Sequence, residues 1–145
     1  MAKIEESVII DSPIEEVWKF LIDLSNVPKW ETAILEMRMT SAGPVSVGST
    51  WDVRRKDKRI IPQRCIEYEP NRKFSFEVPS GVAKGTIGTY SMETIEGKTR
   101  FTATVDFKVN GFYKLIGPFI IRGERKEGVA SLGNLKRILE SETQS

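Results

Sequence analysis

Arg100-Phe101-Thr102-Ala103-Thr104-Val105-Asp106-Phe107 alternates polar and apolar residues without a slip, and a short way on Ile121, Arg125, Gly128, Leu132, Leu135 and Leu139 recur at spacings of four and three. The first pattern has period two, as in a strand with one apolar and one wet face. The second follows the turn of a helix. The switch at Asn110-Gly111 predicts a sheet whose apolar face is closed by a long helix running to about Glu140. Gly117-Pro118 is expected to set a short segment, Phe112 to Ile116, apart from that helix. Gly128 interrupts the N-terminal half of the helix face and Glu124 flanks it, whereas the C-terminal half is pure leucine, so the first half reads as the looser seam.

Working back from this point, Tyr90 and Met92 share a face of the preceding strand, and Phe74, Phe76 and Val78 are set against Lys73, Ser75 and Glu77 in an earlier one. From about residue 33 to 109 such runs are separated by turn chemistry: Ser41-Ala42-Gly43-Pro44, Lys56-Asp57-Lys58, Pro70-Asn71, Pro79-Ser80-Gly81 and Glu96-Gly97. That spacing describes an antiparallel meander. Residues 3–10 form a weaker first strand ending in Val8-Ile9-Ile10. Ser12-Pro13-Ile14-Glu15 then reads as a capping box, with a hydroxyl N-cap, proline at the first helical position and glutamate at the third. Ile14, Val17, Trp18, Leu21 and Ile22 follow as one apolar stripe of an amphipathic helix, and Pro28-Lys29-Trp30-Glu31 suggests a second short turn.

Composition narrows the function. The chain has 145 residues, 39% hydrophobic and 29% charged, which fits one globular domain, residues 1–145. It has no histidine. Ser-His-Asp and Cys-His catalysis are thereby excluded, as are zinc sites that need an imidazole. Cys65 is the only cysteine, expected as a small buried hydrophobe in a strand, so neither an intrachain disulfide nor a cysteine-rich metal site can form. No nucleotide-binding glycine motif or CxxC pair occurs, and no cofactor is expected. A net charge of +2 does not suggest nucleic acid as the main partner. With no leader-like start and no apolar run of membrane-spanning length, the expected location is cytoplasmic.

The order strand, two helices, six strands, long helix is an α+β helix-grip arrangement (β-α-α-β6-α), a curved antiparallel sheet wrapped around its C-terminal helix. The sequence resembles the START-like, or SRPBCC, superfamily, and within it the polyketide cyclase/dehydrase and lipid-transport group that shares its fold with the birch-pollen allergen. The resemblance covers nearly the whole chain. It is carried by Ser12-Pro13 through Val17-Trp18, Asp23-Leu24-Ser25-Asn26-Val27-Pro28-Lys29-Trp30 and Val47-Gly48-Ser49-Thr50-Trp51. Glu67-Tyr68-Glu69-Pro70-Asn71-Arg72-Lys73-Phe74, Gly97-Lys98-Thr99-Arg100 and Leu135-Lys136-Arg137-Ile138-Leu139-Glu140 complete it. These motifs sit at caps and turns that build the scaffold and leave the ligand unspecified.

A half-barrel closed by a helix implies an internal cavity that side chains, water or a guest must fill. At about 24 cal/mol per Å3, an empty cavity of ~300 Å3 would cost roughly 7 kcal/mol. That is comparable with the ~5–15 kcal/mol stability of a whole domain. The candidate lining residues are Trp51, Val53, Ile66, Tyr68, Phe76, Tyr90, Met92, Phe101, Ala103 and Val105 from the strands, with Glu124, Arg125, Gly128 and Leu132 from the helix. For any one aromatic here plain core packing is the commoner role, and a pair such as Glu124 with Arg125 more often forms solvated helix surface.

Three functions stay open at this level. The first is binding, and with it transport, of a hydrophobic small molecule such as a lipid, isoprenoid or polycyclic aromatic. The second is a polyketide cyclase or dehydratase, in which a tyrosine or acidic group assists proton transfer. The third is an interaction module acting through its outer sheet face or through Arg54-Arg55-Lys56-Asp57-Lys58-Arg59, which with Arg64 forms a basic hairpin suited to transient contact with an anionic membrane surface. Glu67, Glu69, Glu77 and Glu93 alternate with apolar neighbours and are expected in solvent.

Overall fold

The computed structural model describes residues 2–81, 83–108 and 113–144, with side chains except at 2, 113–121, 124 and 142–144. Among these residues seven strands and three helices follow one another as β1 (Ala2–Ile10), α1 (Ile14–Ile22), a single 3-10 turn (Leu24–Asn26), α2 (Val27–Trp30), β2 (Ile34–Met39), β3 (Thr50–Arg55), β4 (Ile60–Glu69), β5 (Lys73–Glu77), β6 (Ile87–Ile95), β7 (Lys98–Phe107) and α3 (Tyr113–Gln144). These strands join one antiparallel sheet in the order β1-β7-β6-β5-β4-β3-β2, so the first strand closes onto the last while β1 and β2 form the edges. This is the helix-grip order expected from the alternation. No helix among the described residues is long and apolar enough to cross a membrane.

The register fixes which residues face the helices. Ile4, Glu6, Val8 and Ile10 of β1 lie opposite Val105, Ala103, Phe101 and Thr99 of β7. Those residues in turn face Gly88, Tyr90, Met92 and Thr94 of β6, and Tyr90 and Gly88 face Phe74 and Phe76 of β5. These make up the concave face. The expected turn residues do the bending: Asn71 and Gly97 take left-handed φ angles of 63° and 80°, a region that asparagine and glycine enter at low cost. Glu67, Glu69, Glu77 and Glu93 pair on the outside with Lys73, Arg72, Arg64 and Arg100.

The C-terminal half of α3 is locked down. Leu132, Leu135 and Leu139 join one buried cluster with Ile10, Val17, Trp30, Trp51, Phe74 and Phe101. Polar ties align the helix with what lies beneath it. The Asp11 amide donates to Glu140 Oε2 at 2.8 Å, Lys136 Nζ donates to the Ile9 carbonyl at 2.8 Å, and the Thr32 amide donates to Ser131 Oγ at 3.0 Å. Asn134 Nδ2 reaches the Trp30 carbonyl at 3.3 Å, so α2 and α3 are joined by side chains 104 residues apart.

Three local expectations need correction. The N-cap of α1 is Pro13, one residue later than the serine nominated from sequence, because the first helical bond runs from the Val17 amide to the Pro13 carbonyl. Ser12 is instead a buried corner whose carbonyl accepts from Thr99 Oγ1 at 2.8 Å, pinning the strand-to-helix turn to β7. Second, α3 runs unbroken through Gly117-Pro118. The proline lies early in a 32-residue helix and removes one backbone donor, which the many remaining helical bonds absorb. Third, a β-bulge shifts the register of β4 between Cys65 and Glu67. The extra residue there is Ile66, so Ile66 and Tyr68 do not alternate onto one face as a regular strand would place them. Cys65 is the buried residue, 1% exposed, and its thiol donates to the Glu67 carbonyl across the bulge at 3.3 Å.

Candidate functional site

The concave face is packed unequally along its length. Under α1, α2 and the leucine half of α3, Ile10, Thr99, Phe101, Met92, Phe74 and Trp51 are buried. Toward the other end of the strands, beneath the N-terminal half of α3, the inward-facing Glu6, Phe76, Tyr90, Ala103 and Val105 are only half-buried, while Ile4 and Gly88 among them are buried. The helix above matches this gradient. Arg122, Gly123, Arg125, Lys126 and Glu127 are exposed, and Gly128 stands over Glu6, whose Cγ would lie 3.9 Å from a β-carbon placed there. With glycine at this point, the ground between helix and sheet is occupied by the Glu6 side chain rather than by a side chain of α3.

An aromatic wall lines the boundary between the packed and the looser halves. Phe74, Phe76 and Tyr90 are mutually in ring contact at 5.6–6.2 Å between centroids. Trp51 stacks on Phe74 at 5.8 Å, and Tyr90 touches Phe101 and Trp30 at 5.4 and 5.7 Å. Phe76 lies flat over Gly88, where an added β-carbon would sit 2.4 Å from its ring, so the glycine is what lets the ring settle against the sheet. Trp30, 1% exposed, has an indole nitrogen with no hydrogen-bond acceptor among the described residues.

Tyr90 carries the chemistry of the wall. Its hydroxyl donates to Glu31 Oε1 at 3.3 Å, from the end of α2. Enclosure by protein pushes the phenol well above its ordinary range, and the nearby Glu31 charge and the hydrogen bond add to this. Tyr90 as a whole residue is nevertheless only half-buried. The protonated hydroxyl is a donor, and it is no base near neutrality. An unfolded tyrosine releases its proton near pH 10. The native state holds it longer, so the stability this site contributes is full below pH 10 and falls as pH rises beyond it. Urea midpoints at pH 8 and pH 11 are expected to drop less for Tyr90→Phe than for the unsubstituted protein. An equal drop would remove Tyr90 from the alkaline transition.

The measurable recess lies elsewhere. A cleft of about 340 Å3 opens between the end of α1 and the β2–β3 connection, lined by Ile22, Asp23, Leu24, Ser25, Met37, Met39, Gly43, Pro44, Val45 and Tyr68. Ile22 separates it from a void of only about 10 Å3 among Trp18, Leu21, Phe74, Tyr90 and Met92.

Of the residues proposed from sequence, Phe76, Tyr90, Ala103, Val105 and Gly128 gather at the looser half of the concave face. Trp51, Val53, Met92, Phe101 and Leu132 are fully buried within the packed core. Tyr68 lines the separate cleft and meets the edge of Trp18 at 5.5 Å, and Ile66 occupies the bulge. Arg125 is exposed, and the Glu124 side chain lies outside the described residues. Glu31 and Glu6 were not singled out in the sequence. The partner of Glu31 lies 59 residues away, and Glu6 sits in a strand whose alternation is weak. Among the described residues no group of three or more cysteine, aspartate or glutamate side chains could hold a metal ion.

Comparison with known proteins bears on the fold and the family. The family model described as polyketide cyclase/dehydrase and lipid transport matches residues 1–140. No curated protein matches the chain. Among solved structures, TTHA0849 from Thermus thermophilus is similar at 14% identity and a TM-score of 0.81, covering 97% of this chain and 98% of that one. The di-domain ARO/CYC StfQ from the steffimycin biosynthetic pathway is similar at 11% identity and a TM-score of 0.78, over 99% of this chain and 52% of that one. Ara h 8.0201 is similar at 13% identity and a TM-score of 0.66, over 92% and 97%.

Proposed function

The chain belongs to the polyketide cyclase/dehydrase and lipid transport family, and on that premise we propose that it binds an apolar, ring-bearing small molecule on the looser half of its concave face and acts as a carrier. One observation supports this above the others. Phe76, Tyr90, Ala103 and Val105 keep accessible surface although they point inward, beneath a helix segment whose central residue is Gly128. Apolar surface in that position gains about 25 cal/mol for each Å2 a guest covers. Covering ~250 Å2 would supply roughly 6 kcal/mol, which corresponds to a dissociation constant of tens of micromolar. Tyr90, protonated and anchored by Glu31, would orient one polar group of the guest.

The test is titration with anilinonaphthalene sulfonate, together with organic extraction of protein purified from its own host. One fluorophore per chain, with a dissociation constant on the order of tens of micromolar, and an apolar compound in the extract, are expected. No saturable binding and an empty extract would refute the carrier.

A second reading, a cyclase or dehydratase, is favoured by the Tyr90–Glu31 hydrogen bond and by the likeness to the ARO/CYC fold. The Tyr90 hydroxyl, which stays protonated, would turn from Glu31 to donate its one proton to an oxygen as negative charge develops on it. Turnover of a poly-ketone chain lost in Tyr90→Phe, with fluorophore binding retained, would decide for the enzyme.

A further inference from the structure

The β3–β4 hairpin and the adjoining bulge of β2 form a surface that the bound guest does not need. Residues 54–59 hold five cations and one anion, a net charge of +4 within a chain whose total is +2, so the remainder is net negative. Asp57 organises the turn from its centre. Its Oδ1 accepts from the Arg59 amide at 3.0 Å, and its Oδ2 pairs with Arg59 at 2.8 Å and with Arg55 at 3.4 Å. The hydrogen bond from Arg59 leads the effects that hold the Asp57 carboxyl down at about 2, so it stays ionised and the turn stays ordered at physiological pH. Lys56 and Lys58 are exposed at the tip, and Lys58 takes a left-handed φ of 75°.

Two apolar side chains flank these charges. Ile60, 63% exposed, pairs directly with Arg54 across the hairpin. Leu35, 52% exposed, occupies the β-bulge between Ile34 and Glu36, opposite Arg55 and Arg54 on the other side. Neither belongs to the core cluster. A soluble polyanion would satisfy the cations and leave both apolar groups in water. A bilayer offers phosphate at its surface and hydrocarbon just below, matching both features.

We infer that the 54–60 hairpin, with Leu35, docks on an anionic membrane surface, its cations on headgroup phosphates and Ile60 and Leu35 in the interfacial layer. The strand directions give the contact a consequence. The hairpin lies at the end of the sheet where β5 and β7 finish and α3 begins, the end of the half-buried concave face. Docking would bring the end of the sheet that carries Phe76 and Val105 toward the bilayer.

The test is co-sedimentation with vesicles of phosphatidylcholine alone and of phosphatidylcholine with one-third phosphatidylglycerol. Binding only to the anionic vesicles is expected, weakening at least ten-fold when salt rises from 0.1 to 0.5 M. Each basic residue near such a surface is worth about five-fold. Arg54→Ser with Lys56→Ser and Lys58→Asn should therefore weaken binding about 100-fold, with fluorophore binding retained as proof of folding. Ile60→Ser should weaken it several-fold at both salt concentrations. Equal binding to neutral vesicles, or a salt-insensitive interaction, would overturn the proposal without touching the carrier reading. So would heparin binding that depends on the three cations while Ile60→Ser leaves vesicle binding unchanged, which would identify a soluble polyanion as the partner.

Discussion

Trp51→Ala is expected to lose about 4 kcal/mol of stability, within the ~3–5 kcal/mol usual for removing a buried indole. Trp51 is 1% exposed, stacks on Phe74 with 21° between the rings, meets Phe76 edge-on at 6.3 Å, and donates from Nε1 to Gln63 Oε1 at 2.8 Å. Truncation leaves a hole walled by rings that the sheet holds in place, so little of it can collapse. Against a domain stability of ~5–15 kcal/mol this brings the protein close to unfolding. Phe76→Ala should cost less than half as much, although Phe76 is also aromatic and also points inward. It is only half-buried where Trp51 is 1% exposed, so its removal returns less apolar surface to water. Urea denaturation of the two variants measures the difference, and equal losses would mean that the concave face is packed alike along its length.

Gly128→Leu is expected to lower fluorophore affinity at least ten-fold while changing stability by less than about 1 kcal/mol. Among the described residues a β-carbon at this position meets Glu6 Cγ alone, at 3.9 Å, so the backbone accepts it without strain. The rest of a leucine must extend into the space between helix and sheet. Replacing glycine in a helix gains up to ~1 kcal/mol in propensity, which offsets the cost of crowding. Gly128→Ala isolates that gain, and should stabilise the chain while leaving affinity nearly unchanged. Unaltered affinity in the leucine variant would place the guest elsewhere.

Much of the fold could be read because burial on one face repeats through every strand. The alternation in β5 and β7 and the leucines of α3 each dictate a side that must meet the core. The bulge at Cys65–Glu67 could not be read, since one inserted residue turns the pattern over and Cys65, Ile66 and Tyr68 are all compatible with either face. Pro13 shows the opposite limit. Proline at a helix start is an unambiguous signal, yet its position as N-cap rather than first helical residue depends on Thr99 holding the Ser12 carbonyl 87 residues away.

The candidate site was legible in part, for a related reason. Gly128 and the charges around it give residues 122–128, side chains described except at 124, no large apolar side chain to lay on the sheet, and that much is local. Which aromatics border the gap is set by distance along the sheet from α1 and α2. Phe101 and Ala103 therefore alternate identically in sequence while one is buried and the other is not. The separate cleft left no such trace, because Met37, Met39 and Val45 come from an edge strand and a loop brought beside Ile22 only by the closing of the fold.

The half-buried concave face and the separate cleft have different walls, which makes the location of a guest directly measurable. Methyl NMR of the protein titrated with anilinonaphthalene sulfonate should show the Ala103 and Val105 resonances moving and saturating at one equivalent, while those of Met37, Met39 and Val45 stay in place. Shifts confined to Met37, Met39 and Val45, with Ala103 and Val105 unmoved, would contradict a guest beneath the N-terminal half of α3.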